Sequence, residues 1–146
     1  MPRFFNLAQA QGYLPRVREL IQQAVQSKSD YERSSGKIQA IRARIAILGG
    51  VLVDRLDFEQ TSRLKDTSVE KLKSAVEEIN ELGVLVKDLD VGLIDFPTLL
   101  RGEEVYLCWR LGEDGIQFWH GVHEGFAGRK EIDDDFLQHH EGRPPD

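Results

Sequence analysis

The most constraining feature of this sequence is a change of hydrophobic period at Gly83. Upstream of it, apolar residues recur every three or four positions; downstream they alternate. The first spacing aligns side chains on one stripe of an α-helix, and the second on one face of a β-strand. A chain that makes this switch once builds helices first and strands afterwards. That is an α+β layout rather than interleaved βαβ units.

In the helical half, Ile38, Ile41, Ile45, Leu48, Leu52 and Leu56 are spaced 3, 4, 3, 4, 4, a narrow coiled-coil-like seam. Gly49 and Gly50 interrupt it at roughly 1 kcal/mol each relative to Ala. Because the seam resumes in phase at Leu52 and Leu56, the whole stretch reads as helix. Thr67-Ser68-Val69-Glu70 fits a capping box and predicts a new helix, with Val69, Leu72, Val76, Ile79 and Leu82 buried and Gly83 as its stop. About ten polar residues would join the two helices into an antiparallel hairpin. Ahead of them, Asn6 reads as the N-cap of a short turn, Leu7 to Gln11, that stops near Gly12. Pro15 suits the first position of a further helix with Leu14, Val17, Ile21 and Ala24/Val25 on one face. The polar clusters Ser27-Lys28-Ser29-Asp30 and Ser34-Ser35-Gly36 read as loop or weak helix.

After Gly83, Val84 to Val86 and Val91 to Phe96 read as short strands, the second ended by Pro97. Glu104 to Leu111 is the strongest strand, Gly112-Glu113-Asp114-Gly115 a turn, and Ile116 to His120 the returning strand of a hairpin. Gly121, Gly125 and Gly128 mark a loop. The expected fold is thus an N-terminal antiparallel helical hairpin followed by a small antiparallel β-meander.

With 146 residues, 40% of them hydrophobic, the chain can form one core without disulfides or a membrane span. Residues 1–130 read as a single domain and 131–146 as an acidic, flexible tail. The lone cysteine, Cys108, forms no intrachain disulfide and fits the cytoplasm. The longest apolar run, Ile45 to Val53, has nine residues, against about 20 for a membrane span, and no signal-like core opens the chain. Residues 1–63 carry a net +4 and residues 64–146 a net −10. The acidic half repels a polyanion, so neither nucleic acid nor membrane is an expected partner.

Residues 83–129 concentrate the polar groups that could carry chemistry. Gly83-Val84-x-Val86-Lys87-Asp88-Leu89, Gly92-Leu93-Ile94-Asp95-Phe96-Pro97, Val105 to Glu113, Phe118-Trp119-His120 and Gly125-Phe126-Ala127-Gly128-Arg129 together resemble the signature run of bacterial domain-of-unknown-function family 2203. That resemblance covers most of the chain, including its Phe–helix–Leu-Pro opening, and implies no particular activity.

From the residues themselves, Cys108, His120, His123 and Glu124 are of zinc-ligating type. An even hairpin loop, however, pairs Leu107, Trp109 and Leu111 with Ile116, Phe118 and His120 on one face. Cys108 then falls on the other face with Gln117 and Trp119, unless a bulge or an odd loop intervenes. No metal or other cofactor is therefore expected. Asp88 and Asp90, with Asp95, could hold Mg²⁺ or act as acid and base, or could cap a turn. Arg110 and Arg129 could grip an anion, or pair with Asp88, Asp95 or Glu113. The candidate ligand-binding set is Asp88, Asp95, Arg110, Glu113, His120 and Arg129, expected to meet at one sheet edge. No nucleophile elbow or phosphate loop occurs in the sequence. Two functional classes follow. One is a self-associating interaction module, a homodimer through the helical seam or a complex with another protein. The alternative is a small-ligand or metal-dependent enzyme using the meander's polar residues. Catalytic residues are not identifiable from the sequence.

Overall fold

The computed structural model describes residues 3–48 and 55–144. Among the described residues the helices and strands follow in order: α1 (Leu7–Leu48), α2 (Arg55–Glu81), β1 (Leu85–Asp88), β2 (Leu93–Leu100), β3 (Glu103–Arg110), β4 (Phe118–Gly121), β5 (Lys130–Glu131), α3 (Asp134–His139) and β6 (His140–Glu141), with one 3-10 turn, Phe126–Gly128, between β4 and β5. Long helices precede an antiparallel sheet, as the change of period predicts. The chain divides into two compact units, residues 1–22 with 76–146, and residues 23–75.

The unit of residues 23–75 is an antiparallel helix pair. Going down α1, Gln23, Tyr31 and Lys37 meet Lys71, Lys65 and Asp57 in turn on α2. Residues 57–66, expected as the polar connection, are instead the first turns of α2. Thr67 is therefore helix interior and not a cap, and Ser68 Oγ bonds back to the Leu64 carbonyl at 2.7 Å, as a serine inside a helix does. Gly49, Gly50 and Leu52 of the predicted seam lie outside the described residues. Ile38 and Ile41 are buried, whereas Ile45 and Leu56 are exposed. The rest of the buried line consists of small residues: Ser27 and Ser34 on α1, and Thr61, Ser68 and Ala75 on α2 at intervals of seven. Small side chains on facing stripes let two helix backbones approach closely. Val69, expected inside, is turned out.

In the other unit, α1 starts at Leu7 and passes straight through Gly12 and Pro15. A proline inside a helix typically costs about 3 kcal/mol, yet Ala10, Leu14, Val17 and Ile21 form one unbroken buried stripe across it. Packing outweighs the local preference. The N-terminus is doubly capped, with Asn6 Oδ1 accepting from Gln9 N and Gln9 Oε1 accepting from Asn6 N.

The sheet runs in the order β1-β2-β3-β4-β5, with β6 also pairing β2. Pro97 does not end β2. Its carbonyl accepts from Phe5 N–H at 2.7 Å. In an antiparallel strand a residue's N and C=O point to the same side, so the missing N–H falls outside the β2–β3 ladder. The hairpin closes through Arg101 and Gly102, both with positive φ, the signature of a tight turn. One sheet face carries Ile94, Phe96, Leu107 and Trp109, all buried. Phe5 stacks edge-on to Phe96, and Arg18 lies over Trp109.

Residues 131–144, expected as a fraying tail, are built into this unit. Phe136 is buried between Trp119 and the His140 ring. β6 pairs with Leu99 and Leu100, and Arg143 bridges to Phe4. His140 Nδ1 faces the Phe136 and Leu137 carbonyls, so it carries the proton and leaves Nε2 to accept from Leu7 N–H at 3.0 Å. Truncating Phe136 to Ala should lower stability by about 3 kcal/mol, as for other buried aromatics, measured by urea denaturation. A loss below 0.5 kcal/mol would show that this segment does not belong to the folded unit.

Candidate functional site

The register of the central strands determines what the polar residues can do. Asp95 on β2 lies opposite Cys108 on β3, and Cys108 lies opposite Phe118 on β4; one step along, Tyr106 faces His120. Asp95, Cys108 and His120 therefore share the second face of the sheet, away from Phe96 and Trp109. The even-loop expectation is overturned: residues 111–117 form an odd, seven-residue loop between β3 and β4. The cause lies in α1. The Gln11 side chain donates from Nε2 to the Ile116 carbonyl and accepts at Oε1 from the Ile116 N–H, both at 3.3 Å. This amide replaces a strand partner, so Ile116 is buried in the loop instead of pairing with Leu111. Trp109 Nε1–H closes the loop by donating to the Glu113 carbonyl.

At the centre, His120 Nε2 lies 3.0 and 3.1 Å from the two Asp95 oxygens. Both side chains are at least 95% buried. Nδ1 lies 2.8 Å from the Gly121 carbonyl. A carbonyl only accepts, so Nδ1 carries a hydrogen in this arrangement, and a second proton lies between Nε2 and the carboxylate. Burial raises Asp95 above the usual carboxylate range, opposed by His120 and by a hydrogen bond from the Cys108 thiol. Burial, reinforced by the Asp95 carboxylate, pushes that thiol up to about 12. Cys108 is thus a protonated thiol and not a nucleophile. Tyr106 packs edge-on to His120, and Lys87 Nζ sits 4.7 Å from the Tyr106 ring centre.

A second pair stands beside the first. Arg129 donates to both Glu113 oxygens at 2.7 and 2.8 Å, and its guanidinium lies over Phe118 and Phe126. It also reaches the Cys108 carbonyl at 3.5 Å, so Cys108 touches both pairs.

The six predicted residues thus do not converge on one edge. Asp95 joins His120, and Glu113 joins Arg129. Arg110 is exposed over Phe126, and Asp88 caps a turn by accepting from Asp90 N–H. His123 and Glu124 are exposed. Glu124 binds Lys130 and the Gly121 N–H, which hold its carboxyl below the usual range. Cys108 was absent from the predicted set. Loop parity was the signal that could have placed it there, and parity depends on Gln11, about 100 residues away.

These pairings separate two mutants sharply. Asp95→Ala leaves a buried His120 nitrogen without its partner and should cost about 3 kcal/mol or more. Arg110→Ala, at an exposed position, should stay within about 0.5 kcal/mol. Denaturant titration distinguishes them, and equal effects would contradict the arrangement. The thiol adds a pH test. Its folded value lies above the ordinary value near 9, so its contribution is complete below pH 9 and is lost as pH rises towards 12. Between pH 9 and 10.5 wild type should lose about 2 kcal/mol more than Cys108→Ser. Parallel pH curves would show that the thiol is not buried against Asp95.

The model of one protein family, described as an uncharacterized conserved protein (DUF2203), matches residues 3–132. No curated protein and no solved structure matches the chain. With nearly the whole chain covered, this protein belongs to the DUF2203 family of uncharacterized conserved proteins.

Proposed function

We propose that this chain is an interaction module that associates with a second copy of itself through the end of its helical hairpin. The observation that carries this reading is the exposure of Ile47 at 81% and Leu56 at 62%, with Ile45 also turned to solvent. Ile45 and Ile47 begin the nine-residue apolar run ending at Val53, and Leu56 follows it three residues later. An apolar cluster at one end of a polar helix pair is the kind of surface that mediates association. A two-fold contact sets the same residues against each other and needs no second complementary surface. Arg42 and Arg44, both exposed, would lie at the polar rim of such a contact.

The seam as a whole does not supply this surface, since Ile38 and Ile41 are already buried within the chain. An enzyme using the polar sheet residues would need them to face a ligand. Asp95 and His120, and Glu113 and Arg129, face each other instead. Among the described residues no helix is long and apolar enough to cross a membrane.

Sedimentation velocity across the micromolar range tests the proposal. The expected species has twice the 16.6 kDa mass of one chain, and Ile47→Asp and Leu56→Asp should return it to a single chain without altering the circular dichroism spectrum. A 16.6 kDa species at every concentration would reject self-association.

A further inference from the structure

The second face of the sheet holds a group of donors that self-association does not use. Asp95, Cys108 and His120 each offer one atom, a carboxylate oxygen, Sγ and a ring nitrogen, and the three lie within 4.8 Å of one another. All three residues are buried, and each stands on a different strand of one rigid ladder. We propose that these three side chains form a binding site for a single transition-metal dication, with zinc the best match.

The donor set selects the class of ion. Mg²⁺ and Ca²⁺ take oxygen donors, whereas one sulfur, one nitrogen and one oxygen suit zinc and its neighbours. The spacing also fits. Zinc–ligand bonds of about 2.0 Å to nitrogen and oxygen and about 2.3 Å to sulfur put tetrahedral donors roughly 3.3–3.5 Å apart. Nε2 and Asp95 Oδ1 are 3.0 Å apart and all three donors lie within 4.8 Å of one another, a spread that spans that range. The outer contacts already suit ligation. His120 Nδ1 donates to the Gly121 carbonyl, which turns Nε2 to the cluster and fixes the ring, as partners of metal-bound histidines do. Three protein ligands leave a fourth position for water or a small anion.

Proton balance follows from the same hydrogen bonds. Binding the ion displaces the Cys108 thiol proton and the proton held between His120 Nε2 and Asp95. Both go to solvent, while the Nδ1 hydrogen stays on the ring, donated to the Gly121 carbonyl. Loading should therefore release about two protons per ion.

The test uses the full chain, stripped with a chelator and titrated with Zn²⁺ or Co²⁺ alone. Elemental analysis after dialysis should find one zinc per chain, and zinc should raise the melting temperature. Cobalt should give tetrahedral visible bands together with a thiolate-to-cobalt charge-transfer band. In weakly buffered solution about two protons should appear per ion. Cys108→Ser, checked for native near-ultraviolet circular dichroism, should lose the charge-transfer band and stoichiometric retention. His120→Gln should do likewise; if it fails to fold, the wild-type and Cys108→Ser measurements decide. The proposal is overturned if wild type retains no metal, whether added to the folded chain or during refolding. It is equally overturned if cobalt binds without a thiolate band, or if Cys108→Ser retains zinc as wild type does. Each readout is independent of whether the chain self-associates.

Discussion

An ionisable carboxylate in the middle of a strand buried on both faces constrains everything around it. Residues 94–99 of β2 are all buried, and Asp95 sits among them without access to water. A carboxylate there is tolerated only with a hydrogen-bonding partner. His120 supplies it from β4, across the intervening β3. A one-residue slip of either ladder would turn Asp95 or His120 towards Phe96 and Trp109 and strand its polar atoms in the apolar layer. The pair therefore does more to select the register than to add stability, because the cost of burying both groups offsets much of their attraction.

Several features follow from that register. It places Cys108 between the Asp95–His120 pair and the Glu113–Arg129 pair, its thiol on the first and its carbonyl near the second. The odd β3–β4 loop that puts Cys108 and His120 on one face is held by Gln11 from α1. Gly92 shows how tightly the turns close against this layer: at φ +67°, a Cβ there would lie 2.6 Å from Leu111 Cβ. The long helix, the loop and the sheet of this unit are thus joined through single polar side chains as well as through the apolar core. In the helix pair of residues 23–75 the buried line is made largely of small residues instead.

The layout was legible where the chain repeats a period. The switch at Gly83, the helices and the β3 strand all follow from it. What was not legible depends on partners distant in sequence. Pro97 reads as a strand terminator until Phe5 is seen to take its carbonyl. Gly12 and Pro15 read as breaks until the buried stripe beneath them is seen. Thr67 reads as a cap until α2 is seen to begin at Arg55, twelve residues earlier. Ser27 and Ser34 read as loop or weak helix, and Ser68 as part of a capping box, because a seam of small polar residues leaves no apolar trace. For the site, residue types indicated Asp95, His120, Glu113 and Arg129, but composition does not say who meets whom. The face of Cys108 turned on the parity of one loop, and that parity is set by a glutamine in α1.

His120 is held at both ring nitrogens, by Gly121 on one side and Asp95 on the other. Nitrogen-15 NMR of histidine-labelled protein, at neutral pH and without added metal, tests it directly by reporting the protonation of each ring nitrogen. His120 Nδ1 should carry a hydrogen, and substitution of Asp95 by Asn should shift the Nε2 resonance while leaving Nδ1 protonated. A His120 ring protonated at Nε2 alone, or one whose nitrogens ignore the Asp95 substitution, would contradict the pairing and the register built on it.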